Sequence, residues 1–138
     1  CTPIPGDPII GLIARGRGLS VHRTDCPNLS DLAEDPERLM AVDWDIDEDK
    51  AFTVQMRIRG NDRKYFLSDI TRVISDTGAN IVSCATKTVA HVAEETFWID
   101  VHNTRQLHSM IKRLQGIEGV MEVARVDEAH AIDPPAPN

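Results

Sequence analysis

The chain has no apolar run near the length that crosses a bilayer, and no stretch with the charged start, apolar centre and small-residue end of a secretory signal. Cysteine is scarce, and the count of three is odd, so no disulfide framework is implied. A reducing, cytoplasmic setting with no membrane partner is the expectation. Also missing are a Gly-rich phosphate loop, an HD-type metal motif, and any Ser/His/Asp or Cys/His arrangement with a third orienting group. No catalytic residues are therefore assigned. What is present suffices for folding: the 138 residues are 41% hydrophobic, enough for one domain or two small ones.

Charge is unevenly spread. The formal net charge is −7, yet residues 1–26 carry three basic and two acidic groups, and residues 51–118 carry nine and seven. The acidity sits between them, with nine acidic groups against two basic in residues 27–50, and in the C-terminal tail. An acidic total thus leaves room for an RNA partner.

Cys1 to Cys26 is the richest stretch. His22 and Cys26 are separated by three residues, a spacing that suits two ligands of one zinc ion. The apolar strands Ile9 to Ile13 and Leu19 to Val21 can return the chain to Cys1. Three ligands is one short of a closed structural site. The chain starts at Cys1 without an initiator Met, so it reads as part of a longer protein, with the fourth ligand expected just upstream. The plainer alternative is that both cysteines are small buried apolar residues. Residues 28–38 suggest a short helix ended by Pro36, and alternation from Leu39 to Ile46 suggests a strand.

The run PxPGDxIxGxxxxGRGxSVHRxxCPN, from Pro3 to Asn28, resembles the zinc-finger-like module of the RelA/SpoT family, ribosome-associated enzymes that make and hydrolyse the alarmone (p)ppGpp. The resemblance implies a module opening with a Cys-Cys pair, of which Cys1 is the second, and zinc held by Cys1, His22 and Cys26.

The second half reads as a βαββαβ unit. Phe52, Val54, Met56 and Ile58 alternate with polar residues, and Gly60-Asn61-Asp62 makes a turn. Phe66, Ile70, Val73 and Ile74 recur at helical spacing, with Gly78 as the stop. Ile81 to Val89 and Thr96 to Val101 are two strands joined by a turn over His91 to Glu95. Leu107, Ile111, Leu114 and Ile117 mark a second helix, and Val120 to Val126 a last strand. Cys84 reads as a packed strand residue. His91, His102, His108 and His130 read as exposed, Asp62 and Asp69 as helix-dipole partners. Of Phe97 and Trp98, one is expected in the core and the other on the helix-free face, where a Trp would mark an interface.

The strings NDRxxxLSDIT at Asn61 to Thr71 and ANIVS at Ala79 to Ser83 resemble the ACT domain of the same family. ACT domains sense small molecules and dimerise. Tyr65 stands where Gly is frequent, and its bulk is expected to obstruct a ligand. The expected architecture is α+β, a zinc-finger-like module followed by a ferredoxin-like ACT domain. Its divisions are a first module over 1–46, an acidic linker over 47–50, the ACT domain over 51–128 and a disordered tail over 129–138.

Two roles follow from the resemblance. In one, the first module contacts ribosomal RNA through Arg15, Arg17 and Arg23, whose guanidinium groups suit phosphate, and the ACT domain forms a homodimer, with the Tyr65/Phe66 corner and the Trp98 strand as candidate contacts. Both would control catalytic domains absent from this chain. In the other, the ACT domain binds a branched-chain amino acid, with Asn61, Asp62 and Asn80 as polar contacts and Leu67 and Ile81 packing its side chain.

Overall fold

Strand β1 (Ile9–Ala14) pairs antiparallel with β2 (Gly18–Arg23), Ile13 facing Leu19 and Gly11 facing Val21. On its other edge β1 meets a two-residue strand, β3 (Leu39–Met40), preceded by a 3-10 turn at Pro36–Arg38. Pro36 thus opens a turn, as its fixed φ favours. The strand expected over 39–46 stops at Met40. Beyond it Trp44 turns to the second module instead, packing edge-on against Phe52 with ring centroids 6.0 Å apart. The computed structural model describes residues 1–14, 16, 18–27, 29, 36–45, 47 and 49–126. Most of the helix expected over 28–38 and the whole tail lie outside the described residues.

The second module is built on alternation. In β4 (Phe52–Asn61), Val54, Met56 and Ile58 are buried, while Thr53 and Arg59 are exposed. Two amphipathic helices cover the apolar face. Helix α1 (Phe66–Asp76) buries Phe66, Ile70 and Ile74, and α2 (Thr104–Gln115) buries Leu107, Met110 and Leu114. With β5 (Asn80–Val89), β6 (Val92–Val101) and β7 (Val120–Arg125), the sheet is antiparallel in the order β5-β6-β4-β7. This is the expected split βαββαβ arrangement.

Four local expectations are corrected. The β5–β6 turn is only Ala90-His91, both at positive φ (51° and 66°), so Val92 to Glu95 belong to β6. Two left-handed residues match the twist of the flanking strands. Gly60 and Asn61 are the last rungs of β4, paired with Ala93 and Val92, and the chain turns after them. Cys84 is exposed, because β5 is an edge strand beyond the helices. Phe97 lies in the core and Trp98 on the helix-free face opposite Gln55, as expected, but Trp98 is also buried, at 6% exposure. Neither Trp98 nor Phe66, also buried, is free for an interface.

Tyr65 does not intrude on anything. It is 66% exposed and holds the N-cap of α1 at φ 67° without a side-chain cap hydrogen bond. Glycine suits this position because the backbone is left-handed. Tyr65→Gly is therefore expected to stabilise the fold by about 0.5–1 kcal/mol, the relief of a left-handed side chain less the added chain entropy. Urea unfolding measures it, and a loss of stability would contradict this account.

Candidate metal centre and the junction beneath it

Cys1, His22 and Cys26 converge, with one ligand atom from each lying within 4.8 Å of the others. His22 comes from β2, and Cys26 from the turn that follows, closed by the Cys26 N–H donating to the Arg23 carbonyl at 3.0 Å. The His22 Nδ1 lies 3.4 Å from the Cys1 Sγ and 4.0 Å from the Cys26 Sγ. A tetrahedral zinc with ordinary Zn–S and Zn–N lengths separates S and N ligands by about 3.6 Å. The donor set and its spacing fit the ion.

The tautomer fits as well. The Ser20 hydroxyl donates to the Leu12 carbonyl at 3.4 Å and lies 3.0 Å from His22 Nε2. One hydroxyl proton cannot serve both; with that proton on the Leu12 carbonyl, Nε2–H donates to Ser20 and Nδ1 keeps its lone pair toward the two thiols. This is the outer hydrogen bond that orients metal-bound imidazoles. Ser20 was not singled out in the sequence; its position two residues before His22, on the same strand face, was the signal.

Beneath this centre the first residues are strapped onto the second module. Ile4-Pro5-Gly6-Asp7 is a type II turn, with Pro5 and Gly6 (φ 100°) as its central residues and the Asp7 N–H donating to the Ile4 carbonyl at 3.0 Å. A Cβ on Gly6 would collide with the Thr104 side chain. The Pro5 carbonyl accepts from the Thr104 N–H at 2.8 Å, satisfying a donor that the start of α2 cannot pair internally. Ile4 is fully buried among the ACT-side core residues. The Asp7 carboxylate accepts from the Ile4 N–H at 2.8 Å and from Arg125 Nη1 at 3.0 Å, and its carbonyl accepts from Trp44 Nε1 at 3.0 Å. The Arg125 Nη2 donates to the Thr2 carbonyl. Both side chains of the ion pair are nearly buried, at 12% and 10% exposure. Burial lowers the Arg125 pKa, opposed by the charge and hydrogen bond of Asp7.

Profiles of two domain families match the chain in succession, the RelA/SpoT RIS domain over residues 1–45 and the ACT domain over residues 48–125. The chain belongs to the RelA/SpoT family. It is 43% identical over 130 residues to a GTP pyrophosphokinase of Streptomyces coelicolor, covering 94% of this chain and 15% of that protein. It is 38% identical to the bifunctional (p)ppGpp synthase/hydrolase RelA of Mycobacterium tuberculosis, covering 94% of this chain and 18% of that protein. The chain thus spans under a fifth of the length of these relatives. The crystal structure of the ACT domain from GTP pyrophosphokinase of Chlorobium tepidum superposes with a TM-score of 0.52 at 28% identity, over 56% of this chain and all of that one.

Within the RIS domain, Arg15 and Arg17 lie outside the described residues. Arg23 is 9% exposed and sits 3.6 Å from Asp25, so its guanidinium belongs to the junction and not to a phosphate-facing surface. In the ACT domain, Asn61 and Asp62 stand at the end of β4, Leu67 in the first turn of α1. Asn80 and Ile81 do not join them: Asn80 pairs with Asp100, which pairs with Thr53 at the opposite end of β4. Eight residues of strand separate the two groups, about 27 Å. The five residues therefore form no pocket within one chain. His102 is half-buried with Nδ1 3.0 Å from the Lys50 carbonyl, not merely exposed.

One core-facing group was missed. Glu95 lies opposite Ile58 and is 3% exposed. Its Oε1 accepts from the Thr86 hydroxyl at 2.9 Å, while Oε2 has no hydrogen-bond partner among the described residues. Burial raises its pKa; the Thr86 hydrogen bond opposes the shift and the charge of Asp62 adds to it.

Two outcomes are expected. Ser20→Ala lowers zinc affinity about 10-fold or more, the usual cost of an outer-sphere partner, with the fold unchanged, as read by competition with a chromophoric chelator. For Glu95, the folded state binds its proton more tightly than the unfolded chain. Its contribution is complete below the unfolded pKa near 4.5 and is lost as pH rises through the raised value. Glu95→Gln is accordingly expected to gain about 1 kcal/mol on the wild type at pH 7 and little at pH 4. Urea melts across that range decide, a pH-independent difference being the contrary result.

Proposed function

We propose that the chain is a regulatory, non-catalytic region of a (p)ppGpp synthetase/hydrolase of the stringent response. It senses ribosome contact and self-association and passes that state to catalytic domains elsewhere in the protein. The observation that carries this reading is the succession of RIS and ACT domain matches over residues 1–45 and 48–125, together with the alignment of 94% of the chain to proteins named GTP pyrophosphokinase and bifunctional (p)ppGpp synthase/hydrolase. The RIS domain is read as a zinc-finger-like module with zinc on Cys1, His22 and Cys26, closed by a fourth ligand upstream.

Ribosomal RNA is the partner favoured for the first module. The β1–β2 tip carries Arg15 and Arg17 in sequence between and beside Gly16 and Gly18, and a Cβ built on either glycine meets nothing within 4 Å among the described residues. A projecting basic tip suits phosphate. For self-association, β5 offers an edge over ten residues that is unpaired among the described residues, with Val82 and Val89 exposed. An open strand edge of this length is a template for a second copy.

The register favours a second reading. If two copies pair antiparallel through β5, Asn80 and Ile81 of one copy approach the far end of the other's strand, where Asn61, Asp62 and Leu67 stand. A branched-chain amino acid would then be held between subunits.

Ribosome sedimentation against salt tests the first reading. Affinity should fall steeply as salt rises, and Arg15→Ala with Arg17→Ala should weaken binding and reduce the slope by about 2. Absence of binding at low salt would overturn it. Light scattering should find a dimer, and added valine strengthens that dimer only under the amino-acid reading.

A further inference from the structure

The three donors of the metal centre sit on two separate limbs. His22 and Cys26 belong to β2 and its closing turn, whereas Cys1 belongs to the strap that runs over the ACT domain. The strap touches the ACT domain at four of its first seven residues. Thr2 offers its carbonyl to Arg125, Ile4 enters the core, Pro5 caps the first N–H of α2, and Asp7 holds Arg125 again. Pro8 then accepts from the Thr24 N–H at 3.0 Å, in the same turn that carries Cys26.

We propose that this strap couples metal occupancy to the ACT domain: an ion closing Cys1 onto His22 and Cys26 fixes the strap and tightens the end of the ACT sheet where β7 and α2 receive it. The inference rests on the zinc reading given above. The physical cause is loop closure. The ion joins residues 21 apart in sequence, removing freedom from the segment between them, and that segment contains every strap contact with Arg125 and Thr104. Coupling of this kind is reciprocal: whatever factor the ion adds to strap docking, strap docking adds to ion affinity. Arg125, more than 95 residues from every ligand in sequence, becomes a positioning residue for the metal centre.

The reporter is built in, because the Thr104 amide donates to the strap itself. Hydrogen exchange on the unmodified 138-residue chain, with and without equimolar zinc, is expected to slow about 10-fold at Thr104 and along β7 when zinc is present. Amides Asp69 to Arg72, in the first half of α1 toward the opposite end of the sheet, should keep their rates. In the reverse direction, Arg125→Met should lower zinc affinity about 10-fold by chelator competition. Arg59→Met, which removes two exposed ion pairs on the same sheet, to Glu94 and to Glu122 of β7, should leave it unchanged. Zinc uptake with unaltered exchange at Thr104 and β7 would overturn the coupling while leaving the metal reading intact. If neither this chain nor one extended upstream to supply the fourth ligand takes up zinc, both readings are overturned. Since the exchange measurement needs no variant, misfolding of Arg125→Met does not shield the proposal.

Discussion

The nearly buried pair Asp7–Arg125 is the constraint on which the rest depends. A buried ion pair is weak evidence of net stability, but removing one partner leaves the other charge stranded, at a cost of about 3–5 kcal/mol. That asymmetry pins the register between two modules. Around the same carboxylate, the Ile4 N–H, the Trp44 indole through its neighbouring carbonyl, and two protein segments more than 100 residues apart all take fixed positions. The Arg23–Asp25 pair sits close enough to add its charges to the field at Arg125, so the junction is a small network of alternating sign.

The ACT half was legible because its signals are local and periodic. Alternation in β4 and the 3.6-residue spacing of Phe66, Ile70 and Ile74 leave little choice of face. What failed there depended on partners distant in sequence. Nothing local says that Trp98 would be covered on the helix-free face, or that Asn80 lies a strand's length from Asn61. The Ala90-His91 turn is shorter than the sequence suggests, because Ala-His is not one of the Asn-Gly or Asp-Gly pairs that mark a two-residue hairpin. The metal ligands were legible by spacing and resemblance together. Ser20, Asp7 and Arg125 were not, since their roles are hydrogen bonds to groups that only the folded chain brings near.

The two sheets differ in how they are held. The ACT sheet closes over a shared apolar core, in which every helix contributes a stripe. The first sheet has three strands, one of only two residues, and leaves Ile13, Leu19, Val21 and Met40 all more than a third exposed. A sheet this small buries too little to be independently stable. Its order comes from outside its own hydrophobic contacts, through the strap on one side and the donors of the candidate metal centre on the other.

Ile4 bears on where one domain ends and the other begins. By descent the boundary falls between residues 45 and 48, but by packing it does not exist there. A polypeptide beginning at residue 48 would carry an isoleucine-sized hole in its centre, worth about 2–5 kcal/mol by analogy with truncated core side chains. It would also leave the opening amide of α2 without an acceptor and an arginine without its counter-ion. The inherited unit and the folding unit are therefore different lengths of chain. A segment that is exchanged as a module in evolution is here completed, physically, by the first turn of its neighbour.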